Sequence, residues 1–114
     1  MYDFYMKTDE ILWQNVKALM IQKYGKENLN RTNIDSTAHN KDMAISLGSL
    51  QRIKAQNTAI GLEVIDKLAY FFEVSSWQLL VPNMNPSNLP VLMTPSEIEQ
   101  ELYRRMKFSE LIKQ

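Results

Sequence analysis

The sequence predicts an all-α fold, one helical domain followed by a helical tail, and three observations lead there. Two segments carry apolar residues three and four apart, Leu12, Val16, Leu19, Met20 and Tyr24 in one and Leu62, Ile65, Leu68, Ala69 and Phe72 in the other, the spacing that lines one face of a helix. Capping and stopping residues punctuate the chain at helical lengths. Finally, 114 residues with 45% hydrophobic and 23% charged content suffice for one cored domain and are unlike a disordered chain.

Taken in order, Asp9 is placed to cap the first helix and Gly25 to end it, since glycine accepts the left-handed conformation of a helix terminus. The polar segment "KENLNRTNIDSTAHNKDMA" allows two courses for helix two. It begins near Asp35 or Ser36 and runs to Met43, or it begins nearer Asn28 and is interrupted. Ser46 then precedes a third helix over residues 47–56, with Leu50 and Ile53 facing inward. "LEVIDKLAYFF" forms the fourth helix, and "VSSWQLLVP" a short fifth with a Ser cap, Trp77 in the core and Pro82 as stop. These elements place the domain at residues 9–84.

Residues 1–8 form an arm whose Tyr2, Phe4 and Tyr5 serve either as a partner-binding segment or as a flap over the domain. "NMNPSNLP", residues 83–90, reads as the passage into a linker bounded at residues 85–93, with "VLM" briefly extended. In the tail, residues 94–114, Thr94 caps, Pro95 takes the first helical position and Glu97 completes a capping box. Its stripe of Ile98, Leu102 and Met106 has no cover in the sequence and makes the tail the expected dimer contact.

Composition excludes several classes. There is no cysteine, hence no disulfide framework or thiolate metal site, and no run of apolar residues long enough to span a bilayer, so a cytoplasmic protein with no membrane partner is expected. His39 is the one histidine and a metal needs several convergent ligands. No Gly-x-Ser-x-Gly elbow occurs, and any Ser-His-Asp set would rest on His39. No cofactor and no catalysis are therefore expected. Net charge is zero, yet residues 17–62 carry +4 while the segments on either side carry −2 each.

That basic middle contains "ISLGSLQRIKAQN". A helix laid in the major groove needs an apolar inner face, hydrogen-bonding side chains outside and a start that comes close to phosphates. Here Ile45, Leu50 and Ile53 supply the inner face, and Gly48 and Ser49 are small enough to let the backbone approach a duplex. Gln51 can pair bidentately with adenine and Arg52 with guanine or a phosphate; Lys54 offers a point charge, and Asn57 and Thr58 suit phosphate bonding.

From there the chain continues as "SLGSLQRIKAQNTAIGLEVIDKLAYFFEVSSWQLLVP", which resembles the lambda-repressor-like helix-turn-helix family, in particular phage and prophage regulators of the Cro and repressor type, over roughly residues 11–86. The resemblance implies a five-helix domain whose third helix enters the major groove. It also implies Ser46, Leu47, Gly48, Gln51 and Arg52 as the base- and phosphate-facing set. The chain departs from the family upstream. A small Ala usually packs near the middle of helix two and a Gly occupies the turn, places held here by Asn40 and Ala44, and a polar side chain at a helix contact must find a partner. The stretch between helices one and three is also about seven residues longer than the family pattern.

The expected function is sequence-specific transcriptional regulation on double-stranded DNA by a homodimer. Lys41, Arg52, Lys54 and amides near Ser46 and Leu47 would grip phosphates, while Gln51 and Ser49 read bases. The alternative is a protein-interaction module on the same fold, an antitoxin or phage regulator that binds a protein partner.

Overall fold

A computed structural model describes residues 6–57, 59–91 and 95–113. The regular elements among the described residues are all helical, apart from one isolated bridge between Asn85 and Asn88: α1 (Thr8–Tyr24), α2 (Leu29–His39), α3 (Leu47–Lys54), α4 (Leu62–Phe72) and α5 (Pro95–Lys113), with 3-10 turns at Lys41–Met43 and Ser76–Leu80. The expected fifth helix of the domain is thus the second 3-10 turn, and α5 is the tail. No described helix is long and apolar enough to cross a membrane.

Helix α1 ends as its glycine dictates, with Gly25 at φ 81° and its amide bonded to the Ile21 carbonyl. Its start differs from expectation. Lys7 occupies the capping position without a side-chain bond and Asp9 lies in the first turn, where a carboxylate still favours the positive end of the helix dipole. The buried face holds Leu12, Val16, Leu19 and Met20 as the spacing predicts, joined by Trp13 and by a polar residue, Asn15.

Helix α2 takes the earlier of its two courses. Asn28 caps it by accepting from the Arg31 amide at 3.0 Å. Asp35 and Ser36 therefore do not start the helix. Asp35 accepts two bonds from the Arg31 Nε one turn back, at 2.9 and 3.0 Å, and a third from the Tyr24 hydroxyl at 2.9 Å. Nor does α2 reach Met43, because Asn40 leaves the helix with an extended backbone and begins the separate turn Lys41–Met43.

The side chain of Asn40, a polar group in search of a partner, accepts from the Asp42 amide and donates to the Tyr70 hydroxyl. The small residues that let α2 pack closely are Thr32 and Ser36, both buried, and not Asn40 or Ala44.

One core gathers α1, the α3 face of Leu50 and Ile53, the α4 face and Leu79. On α4 the inward residues are Ile65, Leu68, Ala69 and Phe71. Phe72 is partly buried, and Leu62, expected inside, is 78% exposed in the first turn. Trp77, expected in the core, is half-buried, while Leu79 fills the centre at 0% exposure.

Packing continues past residue 84. Leu89 lies on the core, and the Pro90 carbonyl accepts from Gln78 Nε2 at 2.6 Å. The same Gln78 closes a capping box with Ser75, so a single side chain secures both the turn and the segment that follows it.

The Tyr24–Asp35–Arg31 cluster has a titration consequence. Burial first, then the bond to Asp35 and its negative charge, push the Tyr24 phenol up to about 12 from 10.0. The Asp35 carboxyl is held below its ordinary value by the Tyr24 bond and by Arg31. A phenol that keeps its proton to higher pH in the folded than in the unfolded chain contributes stability that is complete below pH 10.0 and lost as pH rises towards about 12. Denaturant unfolding at pH 8 and pH 11 should show this loss in the native sequence and a smaller one in Tyr24→Phe. Equal losses in the two would disconnect Tyr24 from the alkaline limb.

Candidate nucleic-acid interface

The position of α3 is set by α2 through one residue. The Ile45 amide donates to Ser36 Oγ at 3.0 Å, and the Ile45 carbonyl accepts from Asn33 Nδ2 at 2.8 Å. Ser36 in turn donates to the Asn33 carbonyl at 3.0 Å, and the Ile45 side chain is buried. Both backbone polar groups of Ile45 are thus clamped on α2 immediately before the α3 cap. A tight turn of about 3–4 residues ordinarily joins the two helices of a helix-turn-helix. In this chain the connection spans residues 40–46 and contains the turn Lys41–Met43. The sequence carried a signal for the clamp, since Thr32, Asn33 and Ser36 are polar residues clustered within little more than one helical turn.

Ser46 caps α3 by accepting from the Ser49 amide at 3.1 Å, and its hydroxyl donates to the Ser49 hydroxyl at 2.9 Å. Both hydroxyls are engaged with each other. The Leu47 and Gly48 amides lie in the first turn, which by its geometry leaves them without intrahelical acceptors, and Gly48 is exposed. A Cβ built on Gly48 meets nothing within 4 Å.

Helix α3 stops two residues short of the expected 47–56. Gln56 enters the left-handed region at φ 55°, while its amide bonds to Ile53 and the Asn57 amide to Arg52, a pairing that closes helices when the next residue turns left-handed.

The outer flank of α3 is open. Gln51, Arg52 and Lys54 are exposed, as are Ser46 before the helix, Asn57 after it and Lys41 on the preceding turn; Leu47 and Ser49 are half-buried, and Thr58 lies outside the described residues. Two of these cations have intramolecular partners. Arg52 Nη2 donates to the Ala59 carbonyl, bracing the α3–α4 loop, and Lys54 Nζ lies 3.2 Å from Glu27 Oε2. That Glu27 oxygen is buried and has no aligned hydrogen-bond donor, so the contact with Lys54 is a charge pair and not a directed bond.

Beside this flank runs an apolar groove of about 270 Å³ floored by Leu12, Ile53, Ile60 and Ile65, with Lys7 and Asp9 among its lining residues. The aromatic residues Tyr2, Phe4 and Tyr5, read as an arm or flap, lie outside the described residues, as does Thr94. His39 ends α2, exposed, its ring centroid 5.5 Å from that of Tyr70. Among the described residues no group of three His, Cys, Asp or Glu could hold a metal ion. Of the tail residues expected to mediate dimers, Leu102 and Met106 are exposed on α5, and Ile98 occupies its position one turn before Leu102.

No protein-family model, no curated protein and no solved structure matches the chain.

Proposed function

We propose that the chain is a sequence-specific DNA-binding transcriptional regulator of the lambda-repressor-like helix-turn-helix kind, with α3 lying in the major groove of double-stranded DNA and no catalytic turnover. The observation that carries this reading is the exposed flank of α3. A cap, two first-turn amides without intrahelical acceptors, a glycine in open space and the exposed Gln51 and Arg52 follow one another within one short helix. Gln51 reads a base edge, while Lys41, Arg52 and the first-turn amides fix the register through phosphates. One such domain offers few cations, so two copies act on a two-fold operator with half-sites about one helical turn apart.

Gel shifts at rising salt test the binding itself, since every phosphate that the protein neutralises releases counterions and makes affinity fall more steeply as salt rises. Gln51→Ala tests the reading of bases: preference at one operator position should relax by roughly 1–3 kcal/mol while non-specific binding stays as it was. A uniform weakening on every duplex would reassign Gln51 to the backbone.

A second reading, a protein-interaction module on the same fold, is favoured by the zero net charge and by the internal pairing of Arg52 and Lys54. It predicts affinity for duplexes that is weak and indifferent to sequence.

A further inference from the structure

We propose that α5 pairs with α5 of a second copy of the chain in antiparallel orientation, with the two-fold axis passing close to Leu102. This deepens the two-copy reading above by naming the surface and its direction.

Helix α5 spans 19 residues and exposes Leu102, Tyr103 and Met106 at 53%, 63% and 64%. Extensive packing joins α1 to the Ser76–Leu80 turn and to α3, α2 to α3, and α4 to both 3-10 turns; none of it, among the described residues, involves α5. A single helix of this length is marginal in water on propensity alone. Its stripe therefore gains most from a partner that offers apolar residues at the same spacing.

Charge along α5 selects the partner. Residues 95–103 contain Glu97, Glu99 and Glu101 and no base, and residues 104–107 contain Arg104, Arg105 and Lys107 and no acid. Turning a second α5 end for end about residue 102 sets position 98 level with 106 and 102 level with itself, so that apolar meets apolar. The same register brings Glu99 of one copy within two residues' rise of Lys107 of the other, and Glu101 likewise of Arg105, so that acid meets base. Glu99 and Lys107, eight residues apart, lie on the same flank of the stripe, and in an antiparallel pair like flanks face each other. A parallel pair would set acid against acid and base against base. The gradient also suits the dipole of a lone helix, but that leaves the apolar stripe without a role.

The 114 residues contain no cysteine, so single thiols report orientation cleanly. Ser96→Cys and Ser109→Cys chains are mixed and treated with a short bismaleimide, alongside each variant alone, without DNA. In the antiparallel pair positions 96 and 109 are nearly level, whereas each position lies roughly 20 Å along the axis from its own copy. The expected result is a cross-linked dimer in the mixture only, with sedimentation equilibrium giving the mass of two copies. Cross-linking of either variant with itself, a mass of one copy, or a two-copy mass without the mixed cross-link would each overturn the proposal.

Charge reversal gives an independent reading. Reversing Glu97, Glu99 and Glu101 to lysine in one chain, or Arg104, Arg105 and Lys107 to glutamate in another, should weaken self-association at least tenfold, and mixing the two chains should restore it. No recovery on mixing overturns the pairing. Because none of these readouts uses DNA, a cross-linked pair that shifts no duplex would leave the dimer standing and remove the operator.

Discussion

Asn15→Leu will lower the unfolding free energy by about 2–4 kcal/mol. Asn15 is 2% exposed, and its Nδ2 donates to the Leu79 carbonyl at 2.7 Å and to the Val81 carbonyl at 2.9 Å. Those two bonds tie α1 to the chain leaving the Ser76–Leu80 turn, at the point where Pro82 prevents any continuation of the helix. Leucine has the same branched shape and is somewhat larger, so no cavity opens, and the main cost is that of two carbonyl groups stripped of a donor away from water, with a smaller one for the added bulk.

Asn15→Asp separates hydrogen bonding from shape. A carboxylate facing two carbonyl oxygens has no proton to give, whereas the protonated acid has one. The aspartate variant should therefore recover part of the lost stability as pH falls towards the carboxyl range. Denaturant midpoints at neutral and mildly acidic pH measure both effects. A leucine variant as stable as the native chain would mean that water reaches these carbonyls.

Gly48→Glu is expected to abolish duplex binding, by on the order of 100-fold or more, while leaving the folded domain as stable as before. The structural half of this follows from space. A Cβ at Gly48 meets nothing within 4 Å, the residue is exposed, and a carboxylate in the first turn of α3 favours the helix dipole. The functional half follows from the proposed docking, in which that first turn faces phosphates and a negative side chain repels them.

Gly48→Ala distinguishes shape from charge. It removes the conformational cost of glycine, up to about 1 kcal/mol, and adds one methyl group where the backbone approaches the duplex. Thermal midpoints and gel shifts on the same preparations give the comparison. Loss of stability in the glutamate variant would contradict the open space seen at Gly48. Undiminished binding by a folded glutamate variant would move the DNA contact away from α3.

Much of this architecture can be read from residues alone. The apolar spacings of α1 and α4 translate directly into buried faces because a helix repeats every 3.6 residues whatever surrounds it, and Gly25 and Ser46 perform the terminal roles that their chemistry prescribes. Helix α2 is legible only as a pair of alternatives, since its inner face is made of Thr32 and Ser36 and carries almost no hydrophobic period. Leu62 reads as a core residue on spacing and lies in solvent, because periodicity assigns a face but not how far along the helix the core extends.

Residue order alone accounts for the helical class, the boundaries that glycine, serine and proline impose, and the polar composition of the α3 flank, because these depend on a residue and its near neighbours. Folding settles whatever depends on distant partners. Asn15 finds its acceptors 64 and 66 residues away, Asn33 and Ser36 hold the backbone of Ile45, and Arg52 reaches the Ala59 carbonyl. A side-chain amide or hydroxyl has the same donors and acceptors in any setting, and only the folded chain determines which buried group it must satisfy.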